Sequence, residues 1–454
     1  MTPLLIPSIP SPAARPGSSV VIVGGGFAGV AIAIGLLKSM EGGRVLLVEK
    51  GVSVARGAAY GSQDPDHLLN VRAKNMSVDS DRPGDFVDWL KQNGENYVDI
   101  EERFVPRVRY GQYLEARLAA AIDRSSCGFV WVQDEAVDIG PGLSVHLRSG
   151  DRVRGEFLVL ALGNLPPSLP APFAALASDP RIIVNPWLPK ALGPIGRKDH
   201  VLIVGSGLTM VDTVVSLHRS GFTGKIRVRS RHGLVPYVHA PSRAINVNIS
   251  PEKDVIRQVI DLINQSGESW RDTVDALRPQ TVELWQSLSW KQRRMFRKRL
   301  QIHWDQRRHR IPEVVGEELA DLQKSGRLDI AAGQIASVDG SEDRIAVRIH
   351  SYAGGQELFV DRIINCTGAS CDLKGAKLPL LESVVEAGLA EYDPLGIGLM
   401  VDDDGQTGPQ TNVWALGPMC RGCRLETTAV PEIRVQAKRV AEAIVARARA
   451  PVMT

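Results

Sequence analysis

The chain has 454 residues, enough for two or three domains of about 150 residues each. Lys plus Arg number 54 and Asp plus Glu 51, a net charge of +3, which excludes the strongly basic surface of a nucleic-acid or membrane-surface binder. With 44% hydrophobic residues and 5 unevenly spaced cysteines, the chain is neither disordered nor a disulfide-framed secreted protein; the expectation is a cytoplasmic multidomain protein.

Residues 1–17 are rich in proline and read as a flexible arm without a recognisable address. Residues 20–37 form an uncharged run of 18, long enough to mimic a membrane span. Its glycines would interrupt a spanning helix, so the run reads as a buried strand turning into a buried helix. The strand, 20–23, ends in Gly24-Gly25-Gly26-Phe27-Ala28-Gly29, the GxGxxG spacing. Gly24 allows the tight turn, Gly26 lets the backbone approach a pyrophosphate, and Gly29 lets helix and sheet pack closely. The next strand, 44–48, ends in Glu49, placed to accept hydrogen bonds from a ribose hydroxyl.

The pattern recurs at 201–204, followed by Gly205-Ser206-Gly207-Leu208-Thr209-Met210 and a helix over 209–220. Glu49 lies 25 residues after Gly24, and the same offset after Gly205 falls on Ser230. An acid there would repel a 2′-phosphate, whereas Arg229, Ser230 and Arg231 favour one, so the second site is expected to take NADPH. A solvated strand end is the competing reading of these arginines.

Strands at 157–162, before Gly163-Asn164, and 362–366, before Thr367-Gly368, end in small-residue turns of the kind where a chain crosses between two such domains. The fold class expected is therefore α/β with two Rossmann-like dinucleotide-binding domains. The first is discontinuous, 18–165 and 330–454, and the second, 166–329, is inserted. Within the second, residues 251–326 form a helical insertion holding Trp270, Trp285, Trp290 and Trp304 and a basic stretch over 291–310. It reads either as an amphipathic bundle with a solvated basic face or as a cap over the active site.

Toward the end, Cys420-Arg421-Gly422-Cys423 has the CxxC spacing of a redox disulfide, with Arg421 placed to favour a thiolate. No accompanying ligands suggest zinc, and no metal is expected. The competing reading is two small residues in a turn. Ile433, Ala437, Val440 and Ile444 share one apolar face, and Pro431 suits a first helical turn, so a helix is expected over 430–447.

Several segments resemble the bacterial FAD/NAD(P)-binding family, a largely uncharacterised group of flavoproteins distantly similar to class B flavin monooxygenases and amine N-hydroxylases. They include Arg56-Gly57-Ala58-Ala59-Tyr60-Gly61, His67-Leu68-Leu69-Asn70-Val71, Pro106-Arg107 and Asn185-Pro186-Trp187. Ser230-Arg231, His309-Arg310, Asn365-Cys366-Thr367-Gly368 and the stretch from Glu426 through Arg434 belong with them. The resemblance implies FAD in the first site, a nicotinamide cofactor in the second, and cofactor-binding roles for Arg56, His67, Asn70, Gly163, Gly207, Gly368, Gly417 and Thr428. Asn70 and the Glu426-Thr427-Thr428 turn are expected to line the flavin ring, and the following helix start would stabilise negative charge on it. The superfamily's usual Gly-Asp reads Gly417-Pro418 here, and paired cysteines at 420 and 423 are unusual for the family.

The leading expectation is an FAD-dependent, NADPH-using monooxygenase that oxygenates a nitrogen, sulfur or carbon of a small molecule with O₂ through a C4a-hydroperoxyflavin. Catalytic candidates are Asn70, Cys420 and Cys423. Two rivals remain: a dithiol oxidase or disulfide reductase working through Cys420 and Cys423, and a non-catalytic redox sensor that holds the nucleotide as a structural part. Neither a nucleic acid nor a membrane is expected as partner.

Overall fold

A computed structural model describes residues 18–62, 64–341, 343–351 and 354–450. The arm expected over 1–17 lies outside the described residues. Two five-stranded parallel sheets organise the chain. The first has the order Val413–Ala415, Phe157–Leu160, Ser19–Val23, Arg44–Val48, Gly128–Val132. A parallel sheet is covered on both faces, and this one is. On one side lies the helix Phe27–Ser39, flanked by Arg107–Arg124 and Val430–Arg449. On the other lie a three-stranded antiparallel sheet, Ala136–Gly140, Ser144–Leu147 and Arg152–Arg154, and the helix Pro379–Glu386.

Burial on all sides explains the uncharged run at 20–37. Val30, Ile32, Ala33 and Leu36 are completely buried, and Gly35 faces Ala441 so closely that an added Cβ would lie 3.1 Å from the alanine methyl. Each large apolar side chain so enclosed contributes about 1.5–3 kcal/mol. No helix among the described residues is long and apolar enough to cross a membrane.

The second sheet has the order Leu328–Ala332, Lys225–Ser230, His200–Val204, Arg362–Asn365, Ile182–Ile183. The helices Leu208–Arg219 and Glu313–Lys324 pack on one face and a three-stranded meander, Gln334–Gly340, Ile345–Ser351 and Gly354–Val360, on the other. This corrects the boundary expected at residue 330. Strands 328–332 and 362–365 both hydrogen-bond into the second sheet, so the chain returns to the first module only after Asn365. The crossing turn at Thr367-Gly368 was therefore the better marker.

The helical insertion is also shorter than the 251–326 expected. Val315, Leu319 and Leu322 belong to the core of the second sheet, and the insertion proper comprises Val255–Gln265, Trp270–Leu277, Thr281–Ser287, Trp290–Arg299 and Gln301–Arg308. Its own core gathers Val274, Leu277, Leu284, Trp285 and Trp304.

Its basic stretch is a solvated face only in part: Lys291, Arg294, Lys298 and Arg299 are exposed, whereas three other arginines turn inward. Arg293 is buried and donates from Nε to the carbonyls of Trp285 and Leu288 and from a terminal nitrogen to Gly422 O. Arg308 and Arg310 are buried as well, at 9% and 4% side-chain exposure, and each is paired with an acid. The insertion is pinned to the chain that follows Gly417. Trp285 Nε1 donates to Gly422 O at 2.9 Å, Trp304 Nε1 to Glu426 Oε1 at 3.1 Å, and Arg278 makes a two-pronged pair with Glu432 at 2.6 and 3.1 Å. The insertion thus sits over the segment that begins the helix Val430–Arg449.

Candidate active site

The two glycine turns are built alike. Gly24 and Gly205 have φ of +107° and +102°, and a Cβ on either would lie 2.3 Å from a carbonyl oxygen, Ala161 O and Cys366 O respectively. Each turn is therefore pressed against the end of the strand where the chain crosses between modules, and only glycine meets both the dihedral and the space. In the first turn an added Cβ on Gly29 would lie 1.8 Å from Gly24 O. The equivalent position in the second is Met210, fully buried in that module's core.

Both fingerprint helices begin without a side-chain cap. Gly26 precedes Phe27–Ser39 and Gly207 precedes Leu208–Arg219, and neither first turn holds an acid. Their leading amides and dipoles are available to an anion. Glu49 accepts from Gly25 N at 2.6 Å and from Gly51 N at 2.7 Å, one amide to each oxygen. Its carboxylate braces the first turn and keeps lone pairs for ribose hydroxyls.

Between the modules lies a cleft of about 820 Å³. Asn70 and Arg107 line it from the first module, Leu208, Asp212 and His239 from the second, Arg278, Arg308 and His309 from the insertion side, and Thr428, Ala429 and Val430 from the C-terminal segment. The helix Val430–Arg449 has no side-chain cap, and the acid of its first turn, Glu432, is engaged by Arg278 and by Arg308 at 3.2 Å. Burial would raise the Glu432 carboxyl, but the hydrogen bond and charge of Arg278 hold it below the usual carboxylate range. The positive end of this helix therefore faces the cleft with its own acid already paired.

Asn70 and Thr428, expected to line the ring, are brought together in this cleft. Next to Thr428, the buried Thr427 Oγ1 has no hydrogen-bond partner among the described residues. Gly417 lies against the start of the first fingerprint helix, where an added Cβ would be 3.5 Å from the Ala28 methyl, and its amide donates to Gln436 Oε1 at 3.0 Å. Gly163 and Gly368 occupy the crossing turns, with open space where a Cβ would be. A dinucleotide with a flat ring fits this set: an uncapped helix start for its phosphates, a braced acid for its ribose, and Asn70 and Thr428 bordering the cleft.

Other expected residues are engaged by protein partners. Arg56 makes a two-pronged pair with Glu115 at 2.7 and 3.0 Å, through Nε and one terminal nitrogen. His67 bridges the modules, Nδ1 with Ser62 Oγ at 2.8 Å and Nε2 with Ser216 Oγ at 2.6 Å. Arg229 is buried and pairs with Asp329 at 2.7 Å, so it leaves the proposed phosphate site to its neighbours. Ser230 Oγ sits 2.8 Å from Ser206 Oγ and accepts from Gly233 N. Arg231 is exposed and without a charged partner among the described residues.

The cysteine pair is a structural turn. Cys420 is fully buried, its thiol donating to Ala415 O at 3.2 Å, and Cys423 donates to Leu399 O. Burial pushes the Cys420 thiol up to about 12 and raises Cys423 as well. Arg421, expected to favour a thiolate, donates to Asn164 Oδ1 at 2.8 Å. Thiol–disulfide exchange needs an accessible thiolate, and neither sulfur meets that need.

Sequence reasoning missed an interdomain cluster. Arg107 donates to Asp212 at 2.9 Å and lies 5.0 Å from the Trp187 ring centroid, while His67 meets the same ring edge-on at 5.6 Å. Burial raises the Asp212 carboxyl, with Arg107 pulling against it. His67, Arg107 and Trp187 lie in the family-like segments, which was the available signal, but nothing local shows that they converge with Asp212. His239 was also missed. Burial lowers its imidazole to about 4, so it is neutral near pH 7 and shares a hydrogen bond with Asn70 O at 3.1 Å.

Residues 21–165 match the profile described as FAD-NAD(P)-binding. That segment is an FAD/NAD(P)-binding domain. No curated protein matches the sequence. Solved structures with the same overall fold include an ornithine N-hydroxylase from Kutzneria sp. 744, solved with reduced FAD, NADP⁺ and L-ornithine. It is 17% identical, with a TM-score of 0.69 over 95% of this chain and 100% of that one. A cadaverine monooxygenase of desferrioxamine biosynthesis from Erwinia amylovora, bound to FAD, is 14% identical, with a TM-score of 0.67 over 96% of each chain. A bacillithiol disulfide reductase from Bacillus cereus is 15% identical, with a TM-score of 0.54 over 95% of this chain and 99% of that one. At these identities the likeness is one of fold: two dinucleotide-binding domains in one chain.

Proposed function

We infer that the protein is an FAD-dependent, NADPH-using oxidoreductase of the monooxygenase type, acting with O₂ on a small molecule. The observation that carries this reading is the single cleft into which both modules open, with Leu208 at the second fingerprint helix and Thr428 to Val430 at the C-terminal helix lining one cavity. FAD bound in the first module would supply hydride acceptance and oxygen activation. The fold shared with an ornithine N-hydroxylase and a cadaverine monooxygenase supports the same assignment.

The chain's own residues supply binding, orientation and exclusion of water. The amides before Phe27 hold phosphates, Glu49 holds a ribose, and Asn70 and Thr428 border the ring. The uncapped start of Val430–Arg449 stabilises negative charge developing beside it. The insertion, pinned through Trp285, Trp304 and Arg278, covers the cleft on the side of the C-terminal segment and limits solvent access. Arg231 and Ser230 meet the 2′-phosphate of NADPH. The disulfide-reductase reading draws no support from Cys420 and Cys423, both buried with raised thiol pKa values.

Anaerobic mixing with NADPH should bleach the flavin, and readmitted O₂ should restore it with oxygen uptake that depends on substrate. Full turnover without O₂ would remove the monooxygenase reading, and a flavin that NADPH leaves oxidised would favour a redox sensor.

A further inference from the structure

The helices of the insertion do not pack solid. Between them is a pocket of about 290 Å³ lined by Ile256, Val259, Ile263, Leu284, Phe296 and Leu300 among others. Protein interiors are packed as densely as organic crystals and leave few voids larger than a water. This space has a mainly hydrocarbon wall, interrupted by Asn264, Thr281, His303 and Arg307. The helix Val255–Gln265 buries Val255, yet Ile256, Val259, Leu262 and Ile263 stay only partly buried along the same side. An apolar stripe of that kind is left wet unless something apolar enters.

The pocket adjoins the active-site cleft by way of shared wall residues. Trp285, Trp304 and Leu425 line it and also line a neighbouring chamber of 270 Å³. That chamber is polar, with Gln301, Asp305 and Glu426 in its wall, and it shares Asn164, His309 and Thr428 with the interdomain cleft. From the insertion inward the lining therefore runs apolar, then polar, then to the residues bordering the proposed flavin site. A small polar metabolite would have no use for the first stage of that path.

We propose that the substrate is an amphiphile whose straight apolar chain occupies the pocket between the insertion helices and whose polar head lies in the chamber beside Asp305, Glu426 and Thr428. The assignment of chemistry at the head rests on the oxygenase reading given above. Binding of the tail does not.

The test uses flavin-loaded protein without NADPH and straight-chain primary amines from butylamine to dodecylamine, with tryptophan emission as readout, because Trp285 and Trp304 line the pocket. Each added methylene should tighten binding about fourfold, the equivalent of ~0.8 kcal/mol per methylene removed from water, until the pocket is full and the gain stops. Ile263→Trp, which fills the space from a half-exposed helix face, should flatten the series to the affinity of butylamine, with flavin content reporting that the variant is folded. Val259→Ala, which enlarges the space, should move the plateau to a longer amine.

A series that is flat in the unaltered protein, or a slope that Ile263→Trp leaves intact, overturns the proposal. Oxygen uptake measured separately keeps the two readings apart. A chain-length slope without amine-dependent oxygen consumption upholds the pocket and removes the oxygenase. Oxygen consumption with no slope does the reverse.

Discussion

Arg229 and Arg231 are two residues apart and carry the same charge, yet one is buried and paired and the other exposed. Arg231 is exposed at the end of the strand Lys225–Ser230, with no charged partner among the described residues. A 2′-phosphate carries a charge of about −1.5 to −2 near neutral pH, by analogy with other phosphomonoesters. At ~4 Å through water, each unit of charge attracts the guanidinium by about 1 kcal/mol. Arg231→Ala should therefore cost about 2 kcal/mol of NADPH affinity, roughly thirtyfold at 1.4 kcal/mol per factor of ten. NADH has no phosphate there and should be unaffected.

Arg229 has 5% side-chain exposure and its partner Asp329 56%. Its removal leaves an acid that water can still solvate, so the loss is mainly that of buried hydrogen bonds to Val228 O and Asp329, about 1–3 kcal/mol. Arg229→Ala should lower the melting temperature and leave the ratio of KM for NADPH to KM for NADH alone. The assay is stopped-flow flavin reduction with both coenzymes at several ionic strengths, because an exposed pair weakens with salt. Equal effects of Arg231→Ala on the two coenzymes would refute the phosphate-site argument, and a coenzyme switch from Arg229→Ala would refute the structural role given to that residue.

Cys420→Ser and Cys423→Ser should each retain flavin reduction by NADPH, and a thiol reagent should titrate Cys371 alone rapidly in the native protein, since the other four cysteines are buried; prompt loss of two neighbouring thiols would restore the redox reading. Gly29→Ala, whose new methyl would overlap Gly24 O, should cost more than about 4 kcal/mol and yield protein that is insoluble or without flavin; a yellow, soluble variant of normal melting temperature would contradict the packing. His239 has a folded-state value lowered by burial to about 4, so the unfolded chain takes up its proton first as pH falls. The stability of the native protein should therefore decline between the usual histidine range and pH 4, and His239→Gln should flatten that part of the profile in thermal melts.

The strands and helices around both fingerprints were legible because their causes are local. A buried β-branched run, a glycine turn and an uncapped helix follow one another in sequence, so the helix expected at 209–220 is observed as Leu208–Arg219 and that at 430–447 as Val430–Arg449. The domain return at 330 was misplaced because the strand Leu328–Ala332 carries no mark of which sheet it will join. Pairing with Lys225–Ser230 decides that. The inward turn of Arg308 was not legible in the insertion's basic stretch because its partners, Glu426 and Glu432, lie over a hundred residues away.

From the order of residues alone came two nucleotide-binding modules, their glycine turns, and Glu49 at the end of the strand that follows the first of them. Backbone dihedrals and helix termini are dictated by neighbours in the chain, and a short stretch of sequence suffices to specify them. Tertiary structure alone showed that Arg56 pairs with Glu115, that His67 and Arg107 tie one module to the other, that Cys420 is fully buried, and that a hollow remains among the insertion helices. Each of those depends on which distant side chain arrives first at a charge, or on whether packed helices leave space, and chain connectivity carries no record of either.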